Sequence, residues 1–188
     1  RMAVYFFYGE EDFNIEQEVE KLKGTLDPNF LEMSFKIYDN PKFADLISIL
    51  RTQPMMFGKM LIVIKCLDYF SKTFEDKEIK QITKALEDNN KNLDIIFVAE
   101  LPRDEGKKLD SRKKFFKLLN KFNAKEFATI PTYKVAELEG WIQKQAKTKK
   151  LKLTQDALTA MISQIGNNLR QIDKELDKLQ LAAYPENV

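Results

Sequence analysis

Apolar residues recur along this chain in two rhythms that take turns. Ala3-Val4-Tyr5-Phe6-Phe7-Tyr8 is an unbroken β-branched and aromatic run, the pattern of a buried strand. Gly9 ends it, and Glu10-Glu11-Asp12 places acids where a helix N-terminus favours them. Phe13, Ile15, Val19 and Leu22 then mark one helical face, which Gly24 stops. Met33 to Tyr38 predicts a second strand. Asp39-Asn40-Pro41 predicts a turn into a helix carrying Phe43, Leu46, Ile47 and Leu50. Met60 to Ile64 predicts a third strand, apolar throughout, as parallel strands covered on both faces are. A helix follows over Glu75 to Asp88, with Ile79, Ile82 and Leu86 inward, then a strand over Leu93 to Val98. Lys107 to Phe122 reads as a very basic helix with Phe115, Phe116, Leu118 and Leu119 on its apolar face, and Lys125 to Ile130 as a fifth strand. Alternating strands and helices imply an α/β domain with a parallel sheet and right-handed crossovers.

After Pro131 the strand signal stops. Thr132 is an N-cap candidate for a helix through Val135, Leu138, Trp141 and Ile142. Leu151-Lys152-Leu153 connects to Thr154, a second cap, with Leu158, Met161, Ile162 and Ile165 behind it. Gly166-Asn167-Asn168 is a helix stop and restart before Leu169, Ile172, Leu176 and Leu179. The expected organisation is therefore an α/β domain over 1–131 and a small three-helix unit over 132–188.

Composition narrows the chemistry. The 188 residues carry 31 Lys and Arg against 29 Asp and Glu, a net charge of only +2. Balanced charge gives no strong electrostatic footprint for nucleic acid. Cys66 is the single cysteine, so an internal disulfide or cysteine-based metal cage is excluded. With no histidine, the usual catalytic base and commonest metal ligand are both missing. No apolar stretch approaches the roughly 20 residues of a membrane helix, and no signal peptide precedes the first strand. The expectation is a cytoplasmic protein without a membrane partner. Arg1 ahead of Met2 reads as the mark of a trimmed chain.

A parallel sheet followed by a helical unit calls for a test of the phosphate loop. After the first strand an ATPase of this shape would carry G-x-x-x-x-G-K-[ST]. Here the turn is Gly9-Glu10-Glu11-Asp12-Phe13-Asn14, with no second glycine, no lysine and no hydroxyl in place. Its three consecutive acids would repel a triphosphate. The dinucleotide pattern G-x-G-x-x-G is absent too. Asp68 lies too far beyond the third strand to match a magnesium-binding acid, and Glu100 after the fourth reads as a surface acid. Glu10 and Glu11 fit macrodipole partners at a helix start better than a glycosidase pair. No cofactor, metal or catalytic group follows from these residues.

One connection stands out. Gln53-Pro54-Met55-Met56-Phe57-Gly58 lies between a predicted helix and a predicted strand, where connections normally run over the surface. Two readings stand. Met56 and Phe57 are an exposed anchor for a partner pocket, or they plug a core gap at the strand entrance. Gln53 three residues ahead of a Met-Phe pair also resembles the short peptide with which bacterial proteins grip the DNA sliding clamp. Two lysine-rich stretches, Lys107 to Lys117 and Lys144 to Lys152, read as solvated helix faces before they read as DNA contacts, with Lys147, Lys149 and Lys150 the candidates for DNA.

Taken in order, the motifs resemble a known family. Phe6-Phe7-Tyr8-Gly9-Glu10-Glu11 opens the fold, and Phe57-Gly58-Lys59 precedes an apolar strand. Trp141-Ile142, Leu151-Lys152-Leu153 and Gly166-Asn167-Asn168-Leu169 follow, leading to Glu175-Leu176-Asp177-Lys178-Leu179. Together they resemble the first two domains of the delta subunit of the bacterial DNA polymerase III clamp loader. The resemblance implies an AAA+-like (degenerate P-loop NTPase-like) sheet domain that has lost its ATP site, then a three-helix lid, with a further collar domain absent from this chain. It implies a non-catalytic subunit of the polymerase holoenzyme that binds and opens the sliding clamp (the beta subunit) for loading onto primed DNA. Partners would be the clamp, primed DNA and, for the full-length protein, the tau/gamma and delta prime subunits. Carried over residue by residue, Met56 and Phe57 form the hydrophobic wedge and Gln53 the polar anchor. Met56 stands where the family prefers Leu, a near-isosteric exchange. Pro54 holds Gln53 extended, as a docking peptide requires. The alternatives are an α/β nucleotide-binding enzyme with an unrecognised site and a DNA-binding adaptor built on the lysines.

Overall fold

The computed structural model describes residues 2–54, 58–88 and 90–183. Among these, β1 (Val4–Gly9), β2 (Phe35–Asp39), β3 (Met60–Lys65), β4 (Leu93–Glu100) and β5 (Asn123–Glu126) form one sheet in the order β2-β3-β4-β1-β5. Every neighbouring pair is parallel. The helices are α1 (Asp12–Lys23), α2 (Leu31–Ser34), α3 (Phe43–Leu50), α4 (Asp76–Glu87) and α5 (Lys114–Leu119), then α6 (Val135–Thr148), α7 (Gln155–Ile165) and α8 (Leu169–Ala183). The chain divides into two compact units, residues 1–128 and 129–188.

Strand periodicity explains the unbroken apolar runs. Successive side chains leave a strand on opposite faces, and here both faces are covered. Phe6 of β1, Ile62 and Ile64 of β3, and Ile95 and Phe97 of β4 enter one core with Leu46 and Leu50 of α3, Ile82 and Leu86 of α4, and Phe115 and Phe116 of α5. Phe7, Leu61, Val63, Ile96 and Val98 enter the other with Ile15 of α1, Leu26 and Phe127. Burying each such side chain is worth about 1.5–3 kcal/mol. β3 and β4, in the middle of the sheet, are therefore the segments whose pattern is least ambiguous.

Four local expectations are corrected. Met33 and Ser34 belong to α2, a single helical turn, and β2 starts only at Phe35. The basic stretch from Lys107 is irregular as far as Lys113, and α5 is only six residues long. There Asp110 accepts hydrogen bonds from both the backbone and the side chain of Arg112, a local turn that competes with helix. The fifth strand starts two residues earlier and ends four residues earlier than expected, at Asn123–Glu126, with Tyr5 opposite Asn123 and Tyr8 opposite Glu126. Finally, α6 starts at Val135 after Lys134, without a side-chain cap, so Thr132 does not cap it.

In the second unit, α6, α7 and α8 pack against one another pairwise. Leu138, Ile142 and Ala146 of α6 and Leu169, Ile172 and Leu176 of α8 are buried, at the spacing of a helix stripe. Thr154 caps α7 by accepting from the Ala157 amide at 3.2 Å. Gly166 ends that helix at φ +74°, a conformation that favours glycine. Asn168 then accepts from the Gln171 amide at 3.1 Å and opens α8.

Candidate functional site

The connection from α3 to β3 is anchored at both ends. At its start, the Thr52 hydroxyl donates to the Ile49 carbonyl at 2.7 Å and closes the last turn of α3. The Asn90 amide nitrogen donates to the Thr52 carbonyl at 3.3 Å and to the Gln53 side-chain oxygen at 3.4 Å. Asn90 is itself fixed in the turn before β4, where its own side-chain oxygen accepts from the Asn92 amide at 3.2 Å. At the far end Gly58 takes φ +101°, and Lys59 reaches Asp94 of β4 at 2.5 Å. Asp94 is buried, and its second oxygen accepts from the Ala3 amide at 3.1 Å. The loop thus hangs from two posts, both attached to β4 or the turn that leads into it.

Gln53 is exposed, with its side-chain oxygen held by Asn90 at the first post. Met56 and Phe57, the expected wedge, lie outside the described residues. A cleft of about 200 Å³ opens beside the loop, between Thr52, Gln53 and Pro54 on one side and Phe30 and Met33 on the other. Sequence reasoning missed Asn90, Lys59 and Asp94 as supports. No local pattern announces them, because each is paired with a residue more than thirty positions away.

The turn after β1, where an ATPase would cradle phosphate, is filled by protein. Gly9 has φ +135° and lies against the Phe127 backbone. The Phe127 amide donates to the Tyr8 carbonyl at 2.7 Å, and the Glu11 amide donates to the Phe127 carbonyl at 3.0 Å. Glu11 is fully buried, with Arg103 at 3.8 Å. Acid and backbone occupy the end of β1, the reverse of an anion cradle.

The three lysines expected as DNA candidates lie at the end of α6, in the other unit. Lys147 and Lys150 are exposed. Lys149 is half-sequestered, pairing with Asp173 at 3.0 Å and Asp177 at 2.5 Å on α8. Burial works against its charge, but the hydrogen bonds from Asp177 and Asp173 outweigh it and raise the ammonium above its ordinary value. It serves as a staple between two helices. Among the described residues no helix is long and apolar enough to cross a membrane.

Comparison with known proteins fits this architecture. The chain is similar in structure to the Bacillus subtilis DNA clamp loader delta protein YqeN, with a TM-score of 0.73 and 21% identity over 95% of this chain and 53% of that one. It is also similar to a DNA polymerase III gamma subunit-related protein of Thermotoga maritima (TM-score 0.44, 11% identity, 95% of this chain and 73% of that one). A third match is a DNA replication initiation factor (TM-score 0.41, 10% identity, 96% of this chain and 55% of that one). This chain spans about half the length of the B. subtilis protein. No curated protein sequence matches it. The α/β, AAA+-like sheet expected from the sequence is the fold found. The family model described as DNA polymerase III, delta subunit matches residues 5–129, well over half of the chain, and the chain therefore belongs to the DNA polymerase III delta subunit family.

Proposed function

We propose that this chain is the part of a clamp loader delta subunit that binds and opens the sliding clamp, so that the ring is loaded onto primed DNA during replication. The observation that carries this reading is the connection between α3 and β3, anchored at both ends and exposed at Gln53, Gly58 and Lys59, in a chain of the delta family. In this reading residues 1–131 are the clamp-binding AAA+-like domain without an ATP site, and residues 132–188 are the lid. Met56 and Phe57 enter an apolar pocket on the clamp, and Gln53 is their polar anchor. The subunit is non-catalytic. ATP in the sister tau/gamma subunits, with delta prime completing the cytoplasmic assembly, governs when the wedge is offered.

Burying Met56 and Phe57 contributes about 1.5–3 kcal/mol each before association costs. Ring opening needs more than affinity. The subunit must bind the open or strained ring better than the closed one, because only that difference shifts the equilibrium. Phe57→Ala is expected to weaken clamp binding at least about tenfold, equivalent to about 1.4 kcal/mol, with the fold intact. Titration calorimetry against the purified beta clamp tests this, and unchanged affinity would reject the assigned wedge.

A further inference from the structure

The parallel pairing of β2 and β3 decides what lies next to the clamp-binding loop. Phe35 stands opposite Leu61, so the residues that lead into these two strands emerge side by side at one end of the sheet. The segment leading into β3 is the loop. The segment leading into β2 is the single turn α2, too short to turn all of its apolar side chains inward. Met33 is 47% exposed and Phe30, just ahead of α2, 38%. Among the described residues of the sheet unit, the large apolar side chains that are exposed are Phe30, Met33 and Ile37, and the first two line the same cleft as Thr52, Gln53 and Pro54.

We infer that Phe30 and Met33 form a second contact surface for the sliding clamp, continuous with the loop and covered by the same partner. This rests on the clamp-binding reading. Size supports it. A stable protein interface buries about 800 Å² on each partner, whereas an aromatic side chain such as Phe57 supplies only about 150–250 Å². The rest of the loop and the surface beside it supply the remainder. A partner seated on Gln53 faces the cleft that Phe30 and Met33 also line. Apolar contact is what those two side chains have to give, and Met33 adapts its shape to the pocket it meets.

Two measurements on the whole chain with the purified beta clamp test the inference. Met33→Ser and Phe30→Ala are each expected to weaken binding about three- to tenfold, well below the full conversion of their exposed area because association costs intervene. Melting curves check that each variant remains folded. Hydroxyl-radical footprinting is expected to show the Met33 thioether protected when clamp is added, a change that a purely structural role would not produce. If Phe57→Ala weakens binding while Met33→Ser does not and Met33 oxidises equally in both states, the second surface is rejected and the wedge stands. If the unaltered chain does not bind the clamp, the wedge and the second surface fall together.

Discussion

Adding one methyl group at Gly9 tests how the end of β1 is closed. A Cβ built there would lie 2.8 Å from the Phe127 carbonyl carbon and 3.0 Å from its nitrogen, with the carbonyl oxygen nearer still. These are backbone atoms, so no side chain can swing aside. The backbone conformation at φ +135° is itself costly for alanine, by about 1–3 kcal/mol. Relief requires Phe127 to retreat, which breaks the hydrogen bond from its amide to the Tyr8 carbonyl and the one from the Glu11 amide to its own carbonyl. Each is worth about 0.5–1.5 kcal/mol. The Phe7–Phe127 edge contact, with ring centroids 5.5 Å apart, loosens as well. Gly9→Ala is therefore expected to cost about 2–6 kcal/mol, a large share of the 5–15 kcal/mol typical of a domain. Urea denaturation followed by far-UV circular dichroism measures it, while fluorescence of Trp141, the single tryptophan, reports on the helical unit separately. A loss below about 1 kcal/mol with an unchanged denaturant slope would show that Phe127 moves freely and that the closure is not rigid.

Two further outcomes follow from Lys149 and Cys66. Lys149 has a raised folded value, so its contribution is complete below the ordinary 10.5 and fades as pH rises through that raised value. Lys149→Met leaves Asp173 and Asp177 facing each other and should cost about 1 kcal/mol at neutral pH, since Asp177 is half exposed. Thermal melts of the two proteins should converge at strongly alkaline pH, and a constant gap would contradict the staple. Cys66 is fully buried, and burial pushes its thiol above the usual range. A thiol reagent should label it only as the chain unfolds, in step with the urea transition; rapid labelling of the folded protein would refute its burial.

The sheet was legible because both of its faces are covered. β1, β3 and β4 place consecutive apolar residues into two cores, and the one charged residue inside these runs, Asp94 near the start of β4, is paired with Lys59. Thr154 and Gly166 were legible as helix signals because capping and positive φ are local demands. Met33-Ser34-Phe35-Lys36 misled because its alternation suits a strand, yet the turn begun by Asp27 and Pro28 carries helical backbone through Ser34. The shift of β5 has a tertiary cause: Phe127 leaves the ladder to lie over Gly9, a contact spanning most of the domain. At the loop, the sequence pointed to Gln53, Met56 and Phe57. It was silent on Asn90 and on the Lys59–Asp94 pair, since long-range partners leave no trace in local spacing. For Lys149, a lysine-rich run looked the same whether its members face solvent or bridge two helices.

The posts that hold the loop have a mechanical meaning. Asn90 and Asp94 carry its two ends into β4, the central strand, which is bonded on either side to β3 and β1. A pull applied there is shared by the hydrogen-bonded ladder instead of being taken up as slack in a floppy tether. Both described ends of the segment are thus tied to the middle of the sheet, not to its edge.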